Sequence, residues 1–122
     1  MTQPTISDVL TCNDEAQLNE WAAVYCMGWD MEVVQFAGGG HRYWSEPAYR
    51  TKQGKVIRIE NYRPCKDKAQ AFDLMIDREI VLRRITRDLY SVEAPFADVY
   101  EIHNPLIAIV KAAICSAIED KE

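Results

Sequence analysis

The segment PLIAIVKAAICSAI at residues 105–118 constrains the fold most. On a helix its apolar residues cover most of the circumference, with Lys111 and Ser116 as the exceptions. A helix with one apolar stripe can lie on a surface, whereas one that is apolar nearly all round has to be enclosed on several sides. Asn104 is placed as its N-cap and Pro105 at the first helical position, where a missing N–H is no loss. The rest of the chain must therefore supply layers to wrap this helix. A chain of 122 residues suffices for one domain with such a core. The expected division is a flexible or irregular N-terminal arm at residues 1–11 and a single domain at 12–122.

Other elements follow from periodicity. In DEAQLNEWAAVYCM, residues 14–27, Leu18, Trp21, Ala22, Tyr25 and Cys26 recur at spacings of three and four, which is one helix face. Asn13 is the expected N-cap, Gly28 the stop, and Trp29 folds back on the last turn. Residues 31–36, MEVVQF, read as a strand. Residues 42–44, extending toward 47–49, read as a second strand or an irregular arm. KVIRIE at 55–60 alternates, with Ile57 and Ile59 on one side and Val56 and Arg58 on the other. A second helix is expected over 66–77, burying Ala69, Phe72 and Ile76 with Leu74 and Met75. EIVLRRIT at 79–86 fits a continued helix or a strand, and the strand is preferred. Phe96, Val99 and Ile102 mark a last strand. This order predicts an α+β fold. One mostly antiparallel sheet of four or five strands would carry helices on both faces, as an α-β-α sandwich.

The run VVQFAGGGHRYW at 33–44 raises the question of a phosphate loop. The Walker spacing and its lysine are missing, and G-x-G-x-x-G fails at Tyr43. No helix follows to offer its N-terminus to an anion. A tight turn is the reading, with a small anionic ligand or nucleotide at Arg42 and the glycines as the alternative. His41 and His103 are the only histidines, and pairing His103 with Asp98 or Glu101 gives too few ligands for a metal site. No metal and no cofactor are expected. Four cysteines lack any C-x-x-C pair, and free thiols are expected. Cys65 stands next to a helix start beside Arg63 and Lys66. It is the candidate reactive thiol for a cysteine-dependent enzyme, with an N-cap role as the plainer reading. Asp73 and Asp77 read as a solvated helix face.

A net charge of −5 disfavours strong duplex DNA binding, although Arg78, Arg83, Arg84 and Arg87 form a local basic run. No stretch reaches the roughly 18 apolar residues of a membrane span. The start, MTQPTISDVL, lacks the features of a secretory signal, so a cytoplasmic location is expected. Tyr43, Trp44, Tyr49 and Tyr62, with Arg42 and Arg50, gather around the strand region. Those that are exposed are the candidate contact surface for a protein partner, since large aromatics beside arginines dominate contact energies. A homodimer is one way such rings would be covered.

Three blocks, LNEWAAVYCMGW at 18–29, YRPCKDKAQAFDL at 62–74 and NPLIAIVKAAI at 104–114, resemble those of small phage proteins with the phage ABA sandwich domain. Met27, Gly28 and Trp29 match the first block. Pro64, Asp67, Ala69 and Ala71 match the second, and Pro105, Ala108, Ile109, Ala112 and Ala113 the third. Cys65 departs from the family's serine and Asn104 from its threonine. The resemblance implies a sandwich fold and a phage or prophage origin, and it supplies no catalytic residues. With no complete nucleophile, metal or phosphate motif, a non-enzymatic protein is expected, and the resemblance implies a small phage accessory protein in the host cytoplasm that binds a host or phage protein such as a host-defence component.

Overall fold

The computed structural model describes residues 3–84, 89–94, 97–102 and 104–120. The chain runs α1 (Ile6–Thr11), α2 (Glu15–Trp21), a π-helical turn (Ala22–Cys26), β1 (Asp30–Gly38), β2 (Arg42–Arg50) and β3 (Val56–Arg58). It continues through α3 (Lys68–Asp77), β4 (Val81–Arg84), β5 (Tyr90–Ala94), β6 (Ala97–Ile102) and α4 (Pro105–Asp120).

The enclosed helix is α4. Asn104 Oδ1 accepts from the N–H groups of Leu106 and Ile107 at 2.9 and 3.3 Å, so the expected cap is present. Every residue from Ala108 to Ile118 is buried. The helix packs on β5 and β6, and also on α1, α2, α3 and the π turn. Each large aliphatic side chain enclosed this way contributes about 1.5–3 kcal/mol. Lys111 is buried as well, and its Nζ donates to the Leu10 carbonyl at 2.8 Å. That places a cation at the negative end of α1.

The expected irregular arm contains α1. Thr5 and Asp8 form a capping box: Asp8 N–H donates to Thr5 Oγ1 at 3.1 Å, and Thr5 N–H to Asp8 Oδ2 at 2.9 Å. These bonds hold the Asp8 carboxyl below its ordinary range. Six residues cannot hold a helix unaided. Fully buried Val9 and the Lys111 bond fix it against α4.

Asp14, rather than Asn13, caps α2, accepting from Ala16 N–H at 3.0 Å. The last turn widens, with Met27 N–H donating to the Ala22 carbonyl, and Gly28 at φ +72 ends the helix as expected. Likewise α3 begins at Lys68 with Asp67 as its cap. It turns Ala71 and Leu74 inward toward the core, leaving Ala69 exposed, Phe72 54% and Ile76 59% exposed, so the expectation that these three were core is overturned.

The ambiguous stretch after α3 is settled by Glu79, whose φ of +54 breaks the helix. Glu79 N–H donates to the Ile76 carbonyl and Ile80 N–H to the Met75 carbonyl, which is the Schellman arrangement. Strand β4 follows at once, and residues 85–88 lie outside the described ones.

Among the described residues the strands form two antiparallel sheets, β1-β2-β3 and β4-β5-β6, not one sheet of four or five. The reason is local: β3 has three residues and passes directly into a 3-10 turn at Ile59–Asn61, so it offers β4 no ladder to join.

Candidate functional site

The β1–β2 hairpin pairs nine residues on each strand without a register shift, from Asp30↔Arg50 at its base to Gly38↔Arg42 at its tip. Strand β3 supports only Ala48, Tyr49 and Arg50, so beyond Pro47 the hairpin is a two-stranded ribbon. Its base is anchored. Tyr49 is 0% exposed, Met31 and Ile57 pack beside the core, and Tyr49, Tyr62 and Trp29 form an aromatic cluster. Trp29 meets Tyr62 edge-on at 4.9 Å between centroids. Outward from this base Val33, Gln35, Ala37, Tyr43, Ser45 and Pro47 are exposed, while Val34, Phe36 and Glu46 are half-buried.

Alternation assigns the faces. One carries Val33, Gln35 and Ala37 with Pro47, Ser45 and Tyr43. The other carries Glu32, Val34 and Phe36 with Ala48, Glu46 and Trp44. Trp44 stacks on Phe36 at 5.9 Å. Its indole also lies over Gly38, where a Cβ would stand 3.0 Å from the ring. Arg58 reaches across two strands to cover Phe36, 5.6 Å from its centroid, while ion-pairing with Glu46 and Glu60 at 3.2 Å each. Arg50 is tied to Glu32 and to the Gly54 carbonyl.

The glycine run is a turn. Gly40 at φ +71 and His41 at φ +59 make the left-handed bend, and Gly38 admits the Trp44 ring. The tip therefore presents Tyr43, 65% exposed, and Trp44, 40% exposed, beside exposed Arg42.

The six residues singled out in the sequence thus divide. Arg42, Tyr43 and Trp44 share the outer hairpin, and Arg50 sits half-exposed at its base. Tyr49 and Tyr62 are excluded from any contact surface, being 0% and 5% exposed, because they turn inward onto Trp29. Their hydroxyls are buried with no hydrogen-bond partner in the structure. Burial, then the Glu20 charge, pushes the Tyr49 phenol up to about 12, and burial foremost raises that of Tyr62. Phe36 and Val33 of the hairpin, and Arg58 of β3 beside it, are not among those six. The signal for Arg58 was present in the alternation of KVIRIE, which sets it opposite Ile57 and Ile59.

Cys65, the candidate reactive thiol, is buried rather than presented to solvent. It lies in the turn before Asp67, fully buried, and its N–H donates to Asn19 Oδ1 at 3.1 Å. Burial, followed by Glu15 and Cys12, pushes its thiol up to about 12. No helix dipole compensates, since α3 starts three residues further on. None of the four cysteines is joined in a disulfide. Among the described residues no group of three or more His, Cys, Asp or Glu could hold a metal ion. His103 and Arg87 lie outside the described residues, and of the Asp98 and Glu101 side chains nothing is described. Arg83 approaches Glu93 at 3.9 Å across β4 and β5. No helix among the described residues is long and apolar enough to cross a membrane.

Two shallow clefts flank the start of α2. One, about 230 Å³, lies among Asp14, Gln17, Glu20, Met31, Tyr49 and Ile59. The other, about 380 Å³, is lined by Asn13, Glu15, Asn19, Arg63 and Lys66 among others, with Lys66 3.7 Å from Glu15. Neither gathers a nucleophile, base and acid.

No protein-family model, curated protein or solved structure matches the chain.

Proposed function

We propose that this is a non-enzymatic binding protein that engages a host or phage protein through the outer half of its β1–β2 hairpin. The carrying observation is the exposure of Tyr43 and Trp44, beside Arg42, on a ribbon whose base is locked into the core. Large rings held on a stiff support bury much area on contact and lose little conformational freedom, which is the property of contact hot spots. Trp44 is ordered in advance by Phe36 and Gly38, and Phe36 by Arg58. The phage origin, the sandwich family and an anti-defence role rest on the three resembling sequence blocks, and the cytoplasmic location on the lack of secretory-signal features in MTQPTISDVL.

Site-specific photocrosslinking tests this reading. A crosslinking phenylalanine analogue at position 43 is expected to give a discrete adduct with another protein in bacterial cells. The same analogue at Lys68, exposed on α3, serves as the control. Adducts from position 68 and none from position 43 would move the contact surface elsewhere.

A further inference from the structure

Among the described residues strand β1 is an edge of its sheet, and its only charges, Asp30 and Glu32, sit at its base. Natural edges are blunted by charged side chains, lysine above all, by proline, by a bulge or by a covering element. The nine residues DMEVVQFAG contain no lysine and no proline, and the register with β2 is unbroken. Among the described residues no backbone–backbone hydrogen bond from a turn, loop or cap reaches Asp30–Gly38. Val33, in the middle of the strand, is 71% exposed. In an antiparallel pair, alternate residues of an edge strand point their N–H and C=O groups away from the neighbour. What satisfies such a row is the backbone of another extended strand. A two-stranded ribbon is also marginal alone and gains from a third strand.

We propose that the occupant is a second copy of this chain, its β1 pairing antiparallel with β1 about a two-fold axis at Val34. Strand pairing about such an axis is self-complementary, as a two-fold interface requires. Centring on Val34 uses all nine residues of each strand. It sets Asp30 against Gly38 of the second copy, with Arg42 of that copy one strand further, so a carboxylate at the base of one ribbon, its own Glu32 neighbour already paired with Arg50, lies toward the cationic tip of the other. Glu32 falls opposite Phe36. A register centred on Glu32 would instead oppose two carboxylates. The result is one continuous six-stranded sheet. This inference stands apart from the partner reading, because it uses the backbone edge and leaves both side-chain faces of the ribbon, with Tyr43 and Trp44, uncovered.

Sedimentation velocity on the purified chain tests it. Wild type is expected at twice the 14.0 kDa of one chain. Val34→Lys places a lysine opposite Glu46 within one chain, an opposite-charge pair, and directly opposite its own copy across the axis, where like charges repel. Val34→Lys alone and Val34→Glu alone are each expected to sediment as monomers, and their equimolar mixture as a dimer. Hydrogen exchange on wild type needs no substitution: amides of β1 are expected to gain protection as concentration rises, while those of α4 do not change. A monomeric wild type at every concentration overturns the proposal. So do Val34 variants that dimerise as wild type does, a mixture that stays monomeric, or concentration-dependent protection that spares β1.

Discussion

Arg58 covers the ring of Phe36, although the two residues lie on strands separated by β2. Its guanidinium is held in this position by Glu46 and Glu60. The contact braces the ribbon beyond the last residue that β3 pairs. Arg58→Ala removes a cation–π contact of about 0.5–1 kcal/mol at an exposed site, together with ion pairs of about 0–1 kcal/mol. The expected outcome is a small loss of global stability, about 1 kcal/mol, with faster hydrogen exchange confined to residues 33–46. Unchanged exchange there would show that the ribbon needs no brace.

Asn19 is a structural residue that ties α2 to the turn before α3. Its Oδ1 receives the buried N–H of Cys65. Asn19→Ala strands that N–H and is expected to lower stability by about 1–3 kcal/mol in a urea melt. Asn19→Asp keeps an acceptor and is expected to retain more stability than the alanine variant.

Glu79 occupies a left-handed position that glycine fills at no steric cost. Glu79→Gly is expected to raise stability by about 1 kcal/mol, read as a higher melting temperature. A lower one would mean that the side chain makes a compensating contact.

Position 79 also shows where reading the sequence stops. The Schellman stop of α3 is normally announced by glycine, and here a glutamate takes the left-handed conformation. A helix running on and a strand therefore fit the same letters at 79–86. The enclosed helix was legible because an all-round apolar surface has one solution, and α4 has it. Which way α3 faces was not legible. Two apolar stripes, Ala71–Leu74 and Phe72–Ile76, both fit a helical period, and packing chose the first. The same limit governed the aromatics. Tyr43 and Tyr49 lie on the same face of β2, and only distance from the core separates the exposed ring from the buried one. The separation into two sheets depended on the shortness of β3, which alternation in KVIRIE overstates.

The thiols should divide by burial. Cys65 and Cys115 are pushed up to about 12 and about 11, chiefly by burial, so both are protonated and enclosed at neutral pH. Iodoacetamide labelling of native protein is expected to reach Cys12 and Cys26 first, as mapped by peptide mass spectrometry. The raised values fix the sign of an alkaline effect. An unfolded thiol ionises near 8.5 and a tyrosine near 10, so the stability due to these neutral groups is complete below about pH 8.5. It is lost progressively as pH rises toward 12, with Tyr49 adding to the loss above about pH 10. Melting temperature is therefore expected to hold through neutral pH and to fall above about pH 9.

The measurement closest to the central claim compares wild type with the double variant Tyr43→Ala, Trp44→Ala, both confirmed folded by circular dichroism. Each is immobilised and exposed to the same bacterial lysate, and the retained proteins are quantified by mass spectrometry. Loss of two hot-spot rings weakens binding by at least about 2 kcal/mol, or roughly thirtyfold. The expected result is a protein retained by wild type and depleted to background on the double variant. Recovery of the same protein at equal yield on both would contradict the assignment of the outer hairpin as the binding surface.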